Sequence, residues 1–250
     1  MAKFAVILAA AGRSSRFGAD STRDKKTFRE LSGRAIWLRA AELFHARPDV
    51  EQMLVVLAPE DIEWFQEKFR PNITFMELEI VAGGEERADS VENALSRVRS
   101  EIDFVAVHDA ARPMMTADGI EEVFAAARES GAAIPASPIS STIKRVDSGV
   151  IKETVPRTGL FAAQTPQVFS REILVEAFSK RGDFQPTDEA QLVERLGHVV
   201  SVVPGSPLNI KITTQDDLKM AEALLSVLPR NKSLDSLAPG ADEKPKWLFD

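Results

Sequence analysis

The chain has 250 residues, of which 44% are hydrophobic, and this size and composition suit one large α/β domain or two small ones. It contains no cysteine, which excludes disulfides, thiolate metal ligands and cysteine nucleophiles. The net charge of −7 argues against nucleic acid as the main partner, although basic residues gathered in one cleft could still bind a smaller polyanion.

The N-terminal apolar segment is predicted to be the first strand of a sheet. It is too short to cross a membrane and is followed by no cleavage site of a secretion signal, so we expect a cytoplasmic protein without membrane contact. Four later apolar runs have the length of buried strands. The predicted strands are Phe4–Ala9, Met53–Leu57, Leu78–Val81, Phe104–Val107 and Ala132–Ala136.

Amphipathic segments alternate with these strands, and two of them repeat apolar residues at the spacing of a helix face. Pro59 suits a helix start, and Thr214 with Asp217 resembles a capping box. The alternation predicts an α/β fold, with a mostly parallel sheet and helices on both faces. Ligands of such sheets bind beyond the carboxyl ends of the strands. The two predicted faces are Ile36, Ala40, Leu43 and Phe44, and Val91, Ala94, Leu95 and Val98.

Two regions depart from this alternation. Residues 137–159 contain two β-prone pieces around Asp147-Ser148-Gly149, which predicts a hairpin that is either a surface loop or an arm pairing with a second subunit. Residues 229–250 are polar and rich in proline, serine and aspartate, so we expect a flexible tail. We therefore expect a single domain over residues 1–228, with the hairpin as its projection.

The loop after the first strand is small-residue-rich and basic. Ala10, Ala11 and Gly12 allow a close approach of the backbone to a ligand, and four cations follow them. The loop lacks the Gly-Lys-Ser/Thr of a Walker A motif and the glycine spacing of a dinucleotide site. It is either a triphosphate loop of another kind or a solvated basic loop. The four cations are Arg13, Arg16, Lys25 and Lys26.

Polar residues also follow the other strands. Gly83-Gly84 leads into a predicted helix and suits a base and ribose, or is a simple turn. Asp109 follows the fourth strand and can hold Mg²⁺ or a ribose hydroxyl, or cap the next segment. Lys211 lies in a predicted strand, 209–213, where it needs an anion or solvent. Thr187 could be an ordinary N-cap.

These segments together resemble the 2-C-methyl-D-erythritol 4-phosphate cytidylyltransferase family of the non-mevalonate isoprenoid pathway. The likeness extends over residues 1 to about 227, and although each motif is weak alone, their ordered set is specific. The motifs are Ala10-Ala11-Gly12 with Arg16 and Lys26, Gly83-Gly84 with Arg87 and Ser90-Val91, His108-Asp109-Ala110-Ala111-Arg112-Pro113, Thr165-Pro166-Gln167, Thr187-Asp188-Glu189-Ala190 and Asn209-Ile210-Lys211.

The resemblance implies a Rossmann-like domain whose β-arm builds a homodimer. It implies a Mg²⁺-dependent reaction of CTP with methylerythritol phosphate that gives the CDP-linked product and pyrophosphate. Arg16, Lys26 and Lys211 would be catalytic cations. The nucleotide would contact Ala10, Ala11, Gly12, Gly84, Glu85, Ser90, Asp109 and Ala110, with Asp109 also near the metal. The sugar phosphate would contact Arg112, Thr165, Thr187 and Lys211, with Thr142 and Arg157 supplied by the partner's arm.

Some features of the sequence leave alternatives open. The family usually has a Pro-Lys-Gln-type segment where this chain has Lys25-Lys26-Thr27, so either lysine could be the catalytic one; alignment with Phe28 favours Lys26. Ribitol 5-phosphate cytidylyltransferase shares most nucleotide motifs, and a non-catalytic nucleotide-binding relative is a further alternative. The three histidines are interpreted as structural, because a substrate phosphate that is already ionised needs no general base.

Overall fold

The computed structural model describes residues 1–12, 14, 17–18 and 25–229, and its helices and strands alternate as the sequence predicts. In chain order these are β1 (Phe4–Ala9), β2 (Glu30–Leu31), β3 (Arg34–Ala35), α1 (Ile36–His45), β4 (Val50–Leu57), α2 (Ile62–Phe75), β5 (Glu79–Ala82), α3 (Arg87–Leu95), β6 (Phe104–Asp109), α4 (Ala117–Ser130), β7 (Ala132–Pro138), β8 (Ile143–Asp147), β9 (Val150–Val155), β10 (Phe161–Ala163), β11 (Gln167–Ser170), α5 (Arg171–Ser179), α6 (Glu189–Arg195), β12 (Ser201–Pro204) and α7 (Gln215–Leu224).

The central sheet is mostly parallel, as predicted. β1 lies between β4 and β6 and is parallel to both, and β5 is parallel to β4 at one edge. β11 is antiparallel to both β6 and β7. Ala133 of β7 pairs with Val168 of β11 and also with Ser201 of β12, so β11 and β12 lie on opposite edges of β7. β10 continues the β11 side of β7, as an antiparallel strand.

Helices cover both faces of this sheet because its strands are apolar on both sides. Phe4 and Leu8 of β1 pack in one cluster of buried side chains with residues of α1 and α4. Ala5 and Ile7, which point to the opposite face, pack in a second cluster with residues of α3 and α5. Alternate residues of one strand thus serve two cores, as expected for a strand inside an α/β sheet.

Sequence signals for the helix ends are confirmed. Thr214 Oγ1 accepts a hydrogen bond from the Asp217 N–H, and the Asp217 carboxylate accepts one from the Thr214 N–H, which completes the capping box of α7. Pro59 opens a 3-10 turn that leads into α2. α2 is kinked at Phe69, close to Pro71, whose missing N–H interrupts the helical hydrogen bonds. Among the described residues, no helix combines the length and apolarity needed to cross a bilayer.

The predicted hairpin is confirmed as a separate two-stranded sheet made of β8 and β9. Its turn places Ser148 at φ 49° and Gly149 at φ 78°, and two consecutive positive φ angles match the twist of a tight hairpin. Thr142 and Arg157 lie at the base of this arm, and both are exposed.

One predicted strand is wrong. Residues 209–213 join no strand of the sheet; Ile212 donates its N–H to the Ala111 carbonyl, and Lys211 leaves the segment toward Asp109. The alternation of Ile210 and Ile212 is typical of a strand. Ile212 is buried, but it packs in a small third cluster beside α7 and not within the sheet. The predicted tail falls almost entirely outside the described residues, as do Arg13 and Arg16.

Candidate active site

A cavity of about 700 Å³ opens at the carboxyl ends of β1, β4, β5 and β6, where the fold class predicts a ligand. Its volume is typical of small-molecule sites. Nine of the predicted site residues line it, from motifs at both ends of the described chain. These residues are Ala10, Ala11, Gly12, Lys26, Gly84, Glu85, Ser90, Asp109 and Lys211.

The two glycines after β5 allow tight packing of the cavity wall. A Cβ atom at Gly83 would lie 2.8 Å from the Ala11 Cβ, and one at Gly84 would lie 2.5 Å from the Asp89 Cβ. The Ser90 hydroxyl accepts a hydrogen bond of 3.0 Å from the Gly84 N–H, which fixes this turn against the start of α3. Neither glycine has room for a side chain, so this part of the cavity wall is backbone.

The consecutive lysines of the first loop have different surroundings. Lys25 is buried, and its Nζ lies 2.5 Å from Oδ2 of Asp61, a fully buried carboxylate just before α2. Lys26 instead lines the cavity, and its N–H donates to the Ser14 hydroxyl at 3.2 Å. Lys25 is thus buried against a carboxylate, whereas Lys26 lies at the cavity where a ligand would bind.

Asp109 is a buried carboxylate surrounded by cations. Lys211 Nζ lies 2.9 Å and Arg112 Nε 3.3 Å from its Oδ2, while Arg87 Nη2 lies 3.8 Å from its Oδ1. Burial by itself would raise the pKa of Asp109, but attraction to Lys211, Arg87 and Arg112 holds that pKa well below its usual range. The carboxylate is thus ionised, and it holds three cations together beside the cavity.

Arg87 makes a second, closer ion pair that the sequence prediction missed. Its two Nη atoms lie 2.6 Å and 2.9 Å from the two oxygens of Glu189, which is completely buried at the start of α6. Although burial opposes the charged form, Glu189 and Asp109 raise the pKa of Arg87 above its usual value. Both residues belong to motifs noted in the sequence, but their contact spans 102 residues and no sequence pattern indicates it.

His108 and Thr165 support Asp109 from behind. His108 is fully buried, and burial lowers its pKa to about 4, so the ring is neutral at pH 7. Its Nε2 faces the Arg112 carbonyl at 3.0 Å and must donate to it, which leaves Nδ1 to accept from the Thr165 hydroxyl at 3.2 Å. The Thr165 oxygen also accepts from the Asp109 N–H at 3.0 Å. The structural interpretation of His108 agrees with these contacts.

The remaining predicted residues lie around or outside the cavity. Ala110 is fully buried and does not line it, whereas its neighbour Ala111 does. Arg112 contacts Asp109 and donates to the Asn209 carbonyl at 2.7 Å, next to Lys211. Thr187 is exposed; Asp188, one residue later, is the N-cap of α6. Thr142 and Arg157 lie at the arm and do not line the cavity, and Arg16 falls outside the described residues.

Comparison with known proteins agrees with this geometry. The family model for 2-C-methyl-D-erythritol 4-phosphate cytidylyltransferase matches residues 4–227. Proteins of that name from Rhodopirellula baltica and Dictyoglomus thermophilum are 39% and 42% identical to this chain over 90% of its length, covering 96% and 98% of their own. The crystal structure of the enzyme of that name from Thermus thermophilus is 30% identical, covers 88% of this chain and 98% of its own, and superposes with a TM-score of 0.73. This chain therefore belongs to the 2-C-methyl-D-erythritol 4-phosphate cytidylyltransferase family.

Proposed function

We propose that this protein transfers the cytidylyl group of CTP to 2-C-methyl-D-erythritol 4-phosphate, giving 4-diphosphocytidyl-2-C-methyl-D-erythritol and pyrophosphate. The observation that carries the proposal is the cavity where Lys26, Lys211 and Asp109 meet at the carboxyl edge of the sheet. The names of the relatives favour this acceptor over ribitol 5-phosphate. A cytoplasmic location is part of the proposal and is supported by the cysteine-free sequence.

The nucleotide is proposed to bind along the cavity with its phosphates toward the lysines. Gly84 and Ser90 lie at the wall where backbone can contact cytosine and ribose, and Ala11 and Gly12 continue that surface from β1. Lys26 and Lys211 lie among the cavity's cations. Phosphates are attracted to these lysines, while Glu85 and Glu86 at the wall repel them, so the charge distribution favours one orientation of CTP.

The reaction needs charge neutralisation more than proton transfer. An oxygen of the acceptor phosphate attacks the α-phosphorus of CTP; a P–O bond forms as the bond to the bridging oxygen breaks, and that oxygen leaves with pyrophosphate. The second pKa of a phosphate monoester is about 6, so the attacking oxygen is mostly ionised at pH 7. Two unit charges about 4 Å apart interact by about 4 kcal/mol at an effective dielectric near 20, so well-placed cations lower the barrier.

Arg112, Thr165, Thr187 and Lys211 are proposed to form the end of the site that binds the acceptor. Arg112 and Lys211 both contact Asp109, and two cations that lie side by side support a phosphate site there. Thr165 has its hydroxyl engaged by the Asp109 N–H and by His108, so its contribution is to hold Asp109. Thr142 and Arg157 are proposed to reach this end from the arm of a second copy.

Mg²⁺ is proposed as the cofactor, and one carboxylate at the cavity's cationic end is the protein group that fits it. Among the described residues, no group of three or more metal-binding side chains occurs, and Asp109 is the carboxylate at the cavity's cationic end. Its Oδ1 is 3.8 Å from Arg87, beyond hydrogen-bond distance, and could face a metal. Mg²⁺ typically takes one or two carboxylates and completes its shell with substrate phosphates and water. When bound, it would neutralise the phosphate charge that Lys26 and Lys211 also face.

The test is Mg²⁺-dependent release of pyrophosphate from CTP with each acceptor. We expect release with methylerythritol 4-phosphate and little with ribitol 5-phosphate. Lys26→Ala is expected to lower kcat at least a hundredfold, whereas Lys180→Ala, which removes an exposed lysine paired with Glu176 on α5, should not change it. Release with ribitol phosphate alone would assign the sibling activity, and CTP binding without any release would make the protein a non-catalytic relative.

A further inference from the structure

Three cations hold Asp109, but they differ in how firmly they are held themselves. Lys211 is a single flexible ammonium, whose side chain is 38% exposed against 31% for that of Arg87. Arg87 is a planar fork whose two Nη atoms are both engaged by Glu189, in the bidentate geometry that fixes a guanidinium most strongly. Glu189 has no exposed surface, so the fork is anchored to the interior of the protein.

The proposed function requires some of these cations to change partner. Lys211 lies 2.9 Å from Asp109 Oδ2, and it must turn at least partly toward phosphate oxygens when both substrates are bound. Arg112 faces the same demand at the acceptor end. Asp109 would then lose contacts on Oδ2 while the substrates are bound, when the orientation of its carboxylate matters for the reaction. The backbone hydrogen bond from Asp109 to Thr165 fixes the main chain but leaves the carboxylate free to rotate.

We propose that Arg87 is a positioning residue which, held by Glu189, keeps the Asp109 carboxylate in place while Lys211 engages the substrates. This inference rests on the proposed function. The ion pair also limits the net positive charge of the site, because the two carboxylates offset most of the charge of the three cations. The carboxylates are Asp109 and Glu189, and the cations are Arg87, Arg112 and Lys211. The cations can therefore be assembled before a ligand arrives. Arg87 in α3 and Glu189 in α6 thereby couple the nucleotide wall to the loop that carries Thr187.

The test separates positioning from simple stability by replacing the whole pair. Arg87→Met alone leaves Glu189 buried without this partner and should lower Tm by several degrees. The double variant Arg87→Met/Glu189→Met replaces a buried ion pair with apolar side chains of similar length, which usually restores stability. We expect its Tm to lie within a few degrees of wild type, with kcat at least tenfold lower and CTP affinity at least fivefold weaker by calorimetry.

Arg47→Met is the matched control, because it breaks a partly buried pair with Asp49 at 2.7 Å without touching the cavity. It should lower Tm and leave kcat unchanged. A folded double variant with kcat and CTP affinity within twofold of wild type would overturn the proposal. If the wild type binds CTP but releases no pyrophosphate, the proposed function is wrong and the inference about Arg87 is judged by CTP affinity alone. An unchanged CTP affinity in the double variant would then overturn this inference too.

Discussion

At the scale of single residues, the loop lysines show how surroundings divide the roles of identical side chains. Lys25 has an extended backbone (φ −56°, ψ 131°) and reaches a carboxylate 36 residues later in the chain. Lys26 starts the 3-10 turn and lines the cavity. Sequence alignment favoured Lys26, but only the position of the buried Asp61 explains why Lys25 is directed away from the ligand.

Exchanging each lysine for methionine should therefore give opposite results. Lys25→Met deprives the buried Asp61 of its close cation, and we expect a loss of about 3 kcal/mol in the free energy of unfolding with a modest fall in kcat. Lys26→Met should cost less stability than Lys25→Met, because Lys26 is only partly buried, and it should remove nearly all turnover. Urea unfolding and pyrophosphate release measure the two quantities. Normal turnover in Lys26→Met would assign the catalytic role elsewhere.

The tight packing of Gly84 at the cavity wall gives a second prediction at the scale of single residues. In Gly84→Ala the new Cβ would lie 2.5 Å from the Asp89 Cβ, so the turn after β5 must move. We expect a destabilisation of about 1–3 kcal/mol and weaker CTP binding. Gly12→Ala is the control for stability, because among the described residues beyond its chain neighbours no atom lies within 4 Å of its added Cβ, and it should change the free energy of unfolding by less than about 0.5 kcal/mol. Equal stability of both variants would contradict the packing argument.

At the scale of elements, the long apolar runs were predictable and the short or tertiary features were not. β1 and β6 are each six residues long and are formed by apolar runs with clear ends, and both were predicted nearly residue for residue. β10 and β11 have three and four residues, too few for a periodic signal. The segment 209–213 has strand-like alternation, but its neighbours in space are Ala111 and α7. Strand-end motifs located the cavity, whereas the Arg87–Glu189 pair depends on tertiary contact.

The capping box of α7 carries a pH-dependent prediction. Burial would raise the pKa of Asp217, but hydrogen bonds from the N–H groups of Thr213 and Thr214, each 2.8 Å long, outweigh it and lower that pKa. A lowered folded-state pKa stabilises the protein above the unfolded-state value of 3.8, and this stabilisation is lost as pH falls below it. Asp217→Asn should cost about 1 kcal/mol at pH 7.

Urea unfolding of wild type and Asp217→Asn between pH 7 and pH 3 measures this effect. The difference between the two free energies of unfolding should be largest at neutral pH and shrink below about pH 4. A difference that stays constant across this range would show that the negative charge is unimportant for the cap. Because the cap directly follows the segment carrying Lys211, we also expect KM for CTP to rise in the variant.

At the scale of the whole molecule, the arm carries exposed apolar side chains that packing within a single chain does not explain. Val146 and Ile151 are cross-strand partners on the hairpin and are 54% and 58% exposed, and Phe161 at its base is 55% exposed. An isolated two-stranded hairpin is only marginally stable in water. Apolar side chains on such an element are best explained by contact with another chain. Thr142 and Arg157, at the base of the arm, are the acceptor-binding residues proposed to act on a second copy, and neither lines the cavity of its own chain.

Disrupting the arm should therefore abolish assembly and lower turnover. Wild type is expected to have about twice the chain mass of 27.4 kDa by light scattering, and Ile151→Glu should have the mass of one chain. Because Thr142 and Arg157 would no longer reach a partner's cavity, kcat should fall at least tenfold while CTP binding is largely kept. Phe75→Glu is the control: Phe75 is 61% exposed but ends α2 near β5, at the opposite edge of the sheet, and the change should leave mass and kcat unaltered. A fully active wild-type monomer would refute both the dimer and the role of the arm residues in catalysis.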